Sequence, residues 1–163
     1  MARRVFFSFH YERDIWRASR IRNSWVTKPD RESAGFWDAA SWEEVKKKDE
    51  ATIKSWILRQ MDGTSVTAVL IGTETNDSKY VDYEIEQSVN KGNGLLGITI
   101  HNMKDSSGYT DTAGKNPFDY WYKTVNGQKV YYSSIYSTYD WVLGDGYNNL
   151  ATWVEAAAKK AGK

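Results

Sequence analysis

Val66-Thr-Ala-Val-Leu-Ile71 runs directly into Gly72-Thr-Glu-Thr-Asn-Asp-Ser78 and then into Lys79-Tyr-Val-Asp-Tyr-Glu-Ile-Glu86. The first six residues are continuously apolar or β-branched, the pattern of a parallel strand covered on both faces. Gly72 to Ser78 has loop composition, with hydroxyl and Asx side chains suited to capping the helix that follows. The order strand, loop, helix sets Glu84 just past the C-terminal end of a buried strand. Open α/β sheets bind ligands in that crevice, so a carboxylate there is a candidate site residue.

Strands and helices alternate on both sides of this unit. Arg4 to Phe9 reads as a short apolar strand, and Glu12 to about Trp25 places Ile15, Ala18, Ile21 and Trp25 at near-helical spacing. Ser33 to Asp38 reads as a brief second strand or extended loop. Asp49 to Met61 is a helix whose Ile53, Trp56, Ile57, Gln60 and Met61 follow the i, i+3, i+4 rule, ended by Asp62-Gly63. Gly92-Asn-Gly94 closes the Glu84 helix, and Leu95 to Ile100 is the fourth strand. A short strand at Val130 to Tyr132 follows Asn126-Gly127. The chain closes with a helix presenting Leu150, Trp153, Val154, Ala157 and Ala158 on one face. This repetition predicts a three-layer α/β domain, flavodoxin-like, with a mainly parallel sheet of four or five strands in the order 2-1-3-4(-5). No linker interrupts it, so residues 1–163 are expected to form a single domain, with an insertion at about 101–133 lying over the C-terminal edge of the sheet, where loops shape sites.

Composition narrows the function. The 163 residues carry 22 basic and 21 acidic side chains, a formal charge of +1, which gives no electrostatic case for nucleic acid or an anionic membrane. Cysteine is absent, so thiol catalysis, disulfides and cysteine-ligated zinc are all excluded. Two histidines without cysteine offer no metal spacing, and no metal site is expected. No apolar run approaches a membrane span, and Met-Ala-Arg-Arg leads straight into the first strand without a signal-peptide pattern. The expectation is a cytoplasmic protein.

Several motifs in order carry a resemblance: Val5-Phe-Phe-Ser-Phe-His-Tyr11, Gly35-Phe-Trp-Asp38 with Trp42 and Glu43, Val66 to Gly72, Tyr80-Val-Asp-Tyr-Glu84, Asn116-Pro-Phe-Asp-Tyr120 and Tyr139-Asp-Trp-Val142. Together they resemble the bacterial TIR-like family, and within it the ThsB proteins of the Thoeris anti-phage systems. The resemblance runs from Val5 to about Trp153. It is weakest at 102–115 and 123–133. It implies NAD+ as substrate rather than any prosthetic group, cleavage at the nicotinamide–ribose bond, and a cyclic ADP-ribose isomer or related second messenger. That messenger would activate a ThsA-like effector once a phage-derived trigger arrives, with self-association of TIR domains as a further implied contact. A module of a different class fits the same fold: a non-catalytic TIR-like adaptor acting through protein contacts.

For the enzyme, the resemblance selects Glu84, because the family's key acid lies four residues after an aromatic, here Tyr80 where tryptophan is commoner. Helix geometry alone leaves Glu84 and Glu86 on opposite margins of the Val81, Ile85 and Val89 stripe. Loss of nicotinamide from its cationic glycoside passes through an oxocarbenium-like state, and the leaving group departs neutral without a proton. An ionised Glu84 that holds the ribose hydroxyls and opposes the developing charge suits that step. Ser8, Phe9 and His10 end the first strand: Ser8 is a candidate hydrogen-bond partner for ribose or phosphate, Phe9 a stacking surface, and ordinary strand-end packing the alternative for both. Trp37 and Asp38 match the BB-loop stretch, although Asp38 also suits a helix cap. Asn116 is a candidate to orient a substrate hydroxyl, and Asn before Pro is equally a turn initiator.

Overall fold

The computed structural model describes residues 3–27, 31–34 and 43–163. In chain order the strands and α-helices are β1 (Arg3–Ser8), α1 (Tyr11–Val26), β2 (Arg31–Ala34), α2 (Glu50–Met61), β3 (Val66–Ile71), α3 (Lys79–Lys91), β4 (Gly94–Thr99), β5 (Tyr122–Val125), β6 (Gln128–Tyr131), β7 (Thr138–Asp140) and α4 (Gly146–Lys160). The main sheet has five strands in the order β2-β1-β3-β4-β7, and every neighbouring pair is parallel. The flavodoxin-like order is therefore present, and β3 has the bounds read from the sequence.

The sheet's central strand is buried along its whole length. Alternate side chains leave it on opposite faces. Ala68 and Leu70 join Phe7, Ile21, Trp25, Ile98, Leu150 and Val154 in the core under α1 and α4. Val69 and Ile71 join Val81, Ile85 and Phe118 under α3, while Phe6 of β1 packs with Ile53, Ile57 and Met61 of α2. The helices α2 and α3 start where the sequence supplies an acceptor. Ser78 caps α3 by accepting from the Val81 amide, and Asp49 caps α2 by accepting from Thr52 at 2.7 Å. Gly92, at φ 80°, ends α3 in the left-handed conformation that a side chain would strain.

Two expectations about the edges change. The strand anticipated at Val130 to Tyr132 forms as β6, but it pairs antiparallel with β5 in a separate hairpin. The fifth place in the sheet goes to Thr138–Asp140, which pairs with Gly97 to Thr99 of β4. The segment after β4 divides in two. Residues 101–115 fold over the end of β3, where a Cβ on Gly114 would lie 2.1 Å from the Gly72 carbonyl oxygen. Beyond Asn116 the chain turns to the α3 side of the sheet, burying Phe118 and Tyr132 there. No helix among the described residues is long and apolar enough to cross a membrane.

Candidate active site

Parallel pairing puts Ser8 beside Val69, so its side chain leaves β1 on the face that α3 covers. Glu84 comes down from α3 on the same face. Ser8 Oγ donates to Glu84 Oε1 at 2.8 Å, and both residues are buried, Glu84 being 5 % exposed. Glu86 is exposed on the far side of the helix. Tertiary packing thus separates two acids that helix geometry left equivalent.

The Glu84 carboxyl opens on a cavity of about 220 Å³ at the C-terminal end of β1. Phe7, Phe9, His10 and Tyr11 line one wall, Ile53 and Ile57 of α2 another, and Ser78, Lys79 and Tyr80 the rim formed by the first turn of α3. Phe9 stacks on Tyr11 with ring centroids 5.9 Å apart and planes 29° from parallel. Lys79 Nζ lies 5.1 Å from the centre of the Tyr80 ring. Both α1 and α3 begin at this cavity, so the positive ends of two helix dipoles face it.

Burial raises the Glu84 carboxyl from 4.5 to about 8, opposed only by the hydrogen bond from Ser8. Burial thus favours the neutral carboxyl over the ionised form expected from the sequence.

The remaining candidates separate cleanly. Phe9, His10, Tyr80 and Glu84 line this cavity, and Ser8, fully buried behind it, is joined to it through Glu84. His10 is also the N-cap of α1, its Nδ1 accepting from the Arg13 amide at 3.3 Å. Trp37 and Asp38 lie outside the described residues. Asn116 is not brought to the cavity: its Oδ1 accepts from the Phe118 amide at 2.9 Å and its Nδ2 donates to Thr138 Oγ1 at 3.0 Å. It caps a short turn and ties it to β7, in keeping with the turn-initiator alternative. His101 stands in the turn after β4, its carbonyl accepting from Asp111. Sequence reasoning missed Tyr11, Lys79, Ile53 and Ile57. The two isoleucines were legible as a buried helix face, but nothing in their spacing distinguishes a packed wall from a cavity wall.

A charged clasp closes the α1 side of the crevice. Arg13 donates from Nε and Nη2 to both oxygens of Asp111 at 3.1 and 2.9 Å, and from Nη1 to Glu74 at 3.0 Å. Arg17 reaches the carbonyls of Met103 and Tyr109 at 2.8 and 3.0 Å. The hydrogen bond from Arg13 holds Asp111 down at about 2, while burial pushes Asp14 up to about 6 against the nearby Arg17 charge. Residues 101–112 are thereby fastened to α1. The cavity lies on the α2 and α3 side.

Comparison with known proteins meets this geometry from another direction. The family described as Thoeris protein ThsB, TIR-like domain, matches residues 6–105, a span that takes in the end of β1, all of β3, Ser8 and Glu84. A protein of Bacillus cereus (strain MSX-D12) named "Putative cyclic ADP-D-ribose synthase ThsB1" is 39 % identical over 191 aligned residues, covering 94 % of this chain and all of the relative.

Proposed function

This chain belongs to the ThsB TIR-like family, and from that premise we propose that it cleaves NAD+ between nicotinamide and ribose and closes the remaining ADP-ribosyl group into a cyclic product. The observation that carries the reading is the buried Ser8–Glu84 pair opening on an aromatic-walled cavity at the ligand-binding edge of a parallel sheet. The cavity suits a flat, cationic ring with its ribose. Phe9, Tyr11 and Tyr80 provide the π surfaces, and Lys79 with the two helix N-termini offers positive potential to the phosphates.

Glu84 reconciles two requirements. Its burial favours the neutral acid, which costs less to desolvate than a carboxylate. A bound pyridinium ribose brings a positive charge into the same low-dielectric space and favours the ionised form, so Glu84 gives up its proton to solvent as substrate seats. The carboxylate then holds the ribose hydroxyls and faces the charge that develops as the C1′–N bond breaks. Nicotinamide leaves with the bonding pair, neutral. A nucleophile of the same ADP-ribosyl group attacks C1′ and gives up its proton to the Glu84 carboxylate or to solvent, giving the cyclic product; water in its place gives ADP-ribose. Ser8 holds Glu84 Oε1 in place throughout. The product would serve as the second messenger for a ThsA-like effector, with a phage-derived trigger setting the enzyme to work and contacts between TIR domains supporting assembly.

Incubation of purified protein with NAD+ and a lysate of phage-infected cells tests this. The expected result is free nicotinamide together with a product lighter than ADP-ribose by one water, both lost in Glu84→Gln. The reading is overturned if nicotinamide never appears under any activating condition and Glu84→Gln still protects cells from phage.

A further inference from the structure

Thr67 is the one hydroxyl in the apolar run Val66–Ile71, and it is completely buried. A valine there would fill the same space without a polar group to satisfy, so the hydroxyl calls for a physical reason. Its surroundings supply one. Ser88 Oγ on α3, also completely buried, donates to the Glu84 carbonyl at 2.6 Å. Having given its proton there, Ser88 Oγ is the acceptor in its 2.7 Å contact with Thr67 Oγ1, and Thr67 is the donor. Thr67 Oγ1 in turn accepts from Asn93 Nδ2 at 3.4 Å, and the same amide donates to Thr64 Oγ1 at 3.0 Å. From Thr67 onward the donors run through Ser88 to the backbone carbonyl of Glu84.

We propose that Thr67 and Ser88 are positioning residues for Glu84, a buried donor chain that fixes how α3 is rotated over β3 and so delivers the Glu84 carboxyl to Ser8. The geometry makes the connection short. Thr67 and Val69 leave β3 on the same face, Val69 is the parallel partner of Ser8, and Ser88 lies one turn beyond Glu84 on α3. Apolar packing of Val81 and Ile85 against Val69 and Ile71 holds the helix down but tolerates a small rotation or slide. A directional link from strand to helix does not. A donor from Ser to the carbonyl four residues back also bends a helix slightly, at the turn that carries Glu84. This inference rests on the reading of Glu84 as the catalytic acid.

Thr67→Val removes the link with almost no change of shape, and Thr67→Ser keeps the hydroxyl. With folding followed by circular dichroism and turnover by nicotinamide release, Thr67→Val is expected to lower kcat by about tenfold or more while KM stays within about twofold. Thr67→Ser should bring kcat back to within about twofold of the parent. Should Thr67→Val fail to fold, Ser88→Ala cuts the same link from the helix side and carries the same expectation. Full kcat in these variants, beside a Glu84→Gln protein that releases no nicotinamide, overturns the positioning role and leaves Glu84 in place. A fall in kcat that merely follows the melting temperature and is not restored by Thr67→Ser overturns it too. Nicotinamide release by Glu84→Gln removes the reading of Glu84 itself, and this inference with it.

Discussion

Replacing Glu84 by glutamine should stabilise the protein at alkaline pH, and the size of the gain follows from the burial of the carboxyl. Burial raises this group from 4.5 to about 8 in the folded chain. Below 4.5 the carboxyl is protonated in folded and unfolded protein alike, and its neutral form is tolerated in the core. As pH rises the unfolded chain loses this proton first, so stability is drawn down progressively until the folded carboxyl also ionises, through about pH 8. Each pH unit within that window costs about 1.4 kcal/mol per proton. From about pH 6.5 to about pH 8.5 the loss integrates to about 2 kcal/mol, a substantial share of a typical domain's stability. Asp14, raised only to about 6, is already mostly ionised at the lower end of this range and is common to both proteins. Glutamine keeps the side-chain shape and an acceptor oxygen for Ser8 but has no proton to lose. Urea unfolding of both proteins at a series of pH values reads the effect directly. The parent's stability should fall across the window by about 2 kcal/mol more than that of Glu84→Gln. Parallel curves would refute the reasoning, because they would mean that Glu84 is solvated and titrates near its ordinary value.

Other consequences follow from particular contacts. Asn116→Ala should leave NAD+ turnover within about twofold and lower stability by about 1 kcal/mol, since Asn116 caps a turn away from the cavity; steady-state kinetics and thermal melting separate the two effects. Gly114→Ala should destabilise by about 1–3 kcal/mol, because its Cβ would meet the Gly72 carbonyl at 2.1 Å, and a lower melting temperature is the readout. Arg13→Ala should loosen residues 105–112, seen as faster amide hydrogen exchange there, and cost about 1 kcal/mol or less because the pair is partly exposed. Tyr80→Phe should keep activity and Tyr80→Ala should raise KM, if the ring rather than the hydroxyl faces the substrate.

The legible part of this molecule was its periodic part. The unbroken run Val66–Ile71 and the stripe of Val81 and Ile85 declare a buried strand and the helix after it, because each satisfies its local preference and its tertiary surroundings together. Thr138–Asp140 was not legible as a strand. It has three residues, is partly exposed, and owes its conformation to pairing with β4 rather than to its own pattern. Asp14 and Arg17 were hidden for a similar reason: they occupy a helix face that becomes interior only when residues 101–112 fold over it. The site followed the same division. Tyr80 and Glu84 share one helix and a readable spacing, whereas the Ser8–Glu84 bond joins residues 76 positions apart through the register of β1 against β3. Asn116 carried a motif that turn chemistry alone can account for, and turn chemistry is what it performs.

The central claim is that Glu84 holds the ribose of NAD+ while nicotinamide departs. A crystal structure of this protein with a non-cleavable NAD+ analogue tests it most directly. The pyridine ring is expected between the aromatic walls of the cavity, with a Glu84 carboxyl oxygen about 2.6–3.2 Å from a hydroxyl of the attached ribose. An analogue bound elsewhere, or a ribose beyond hydrogen-bond reach of Glu84, would contradict it.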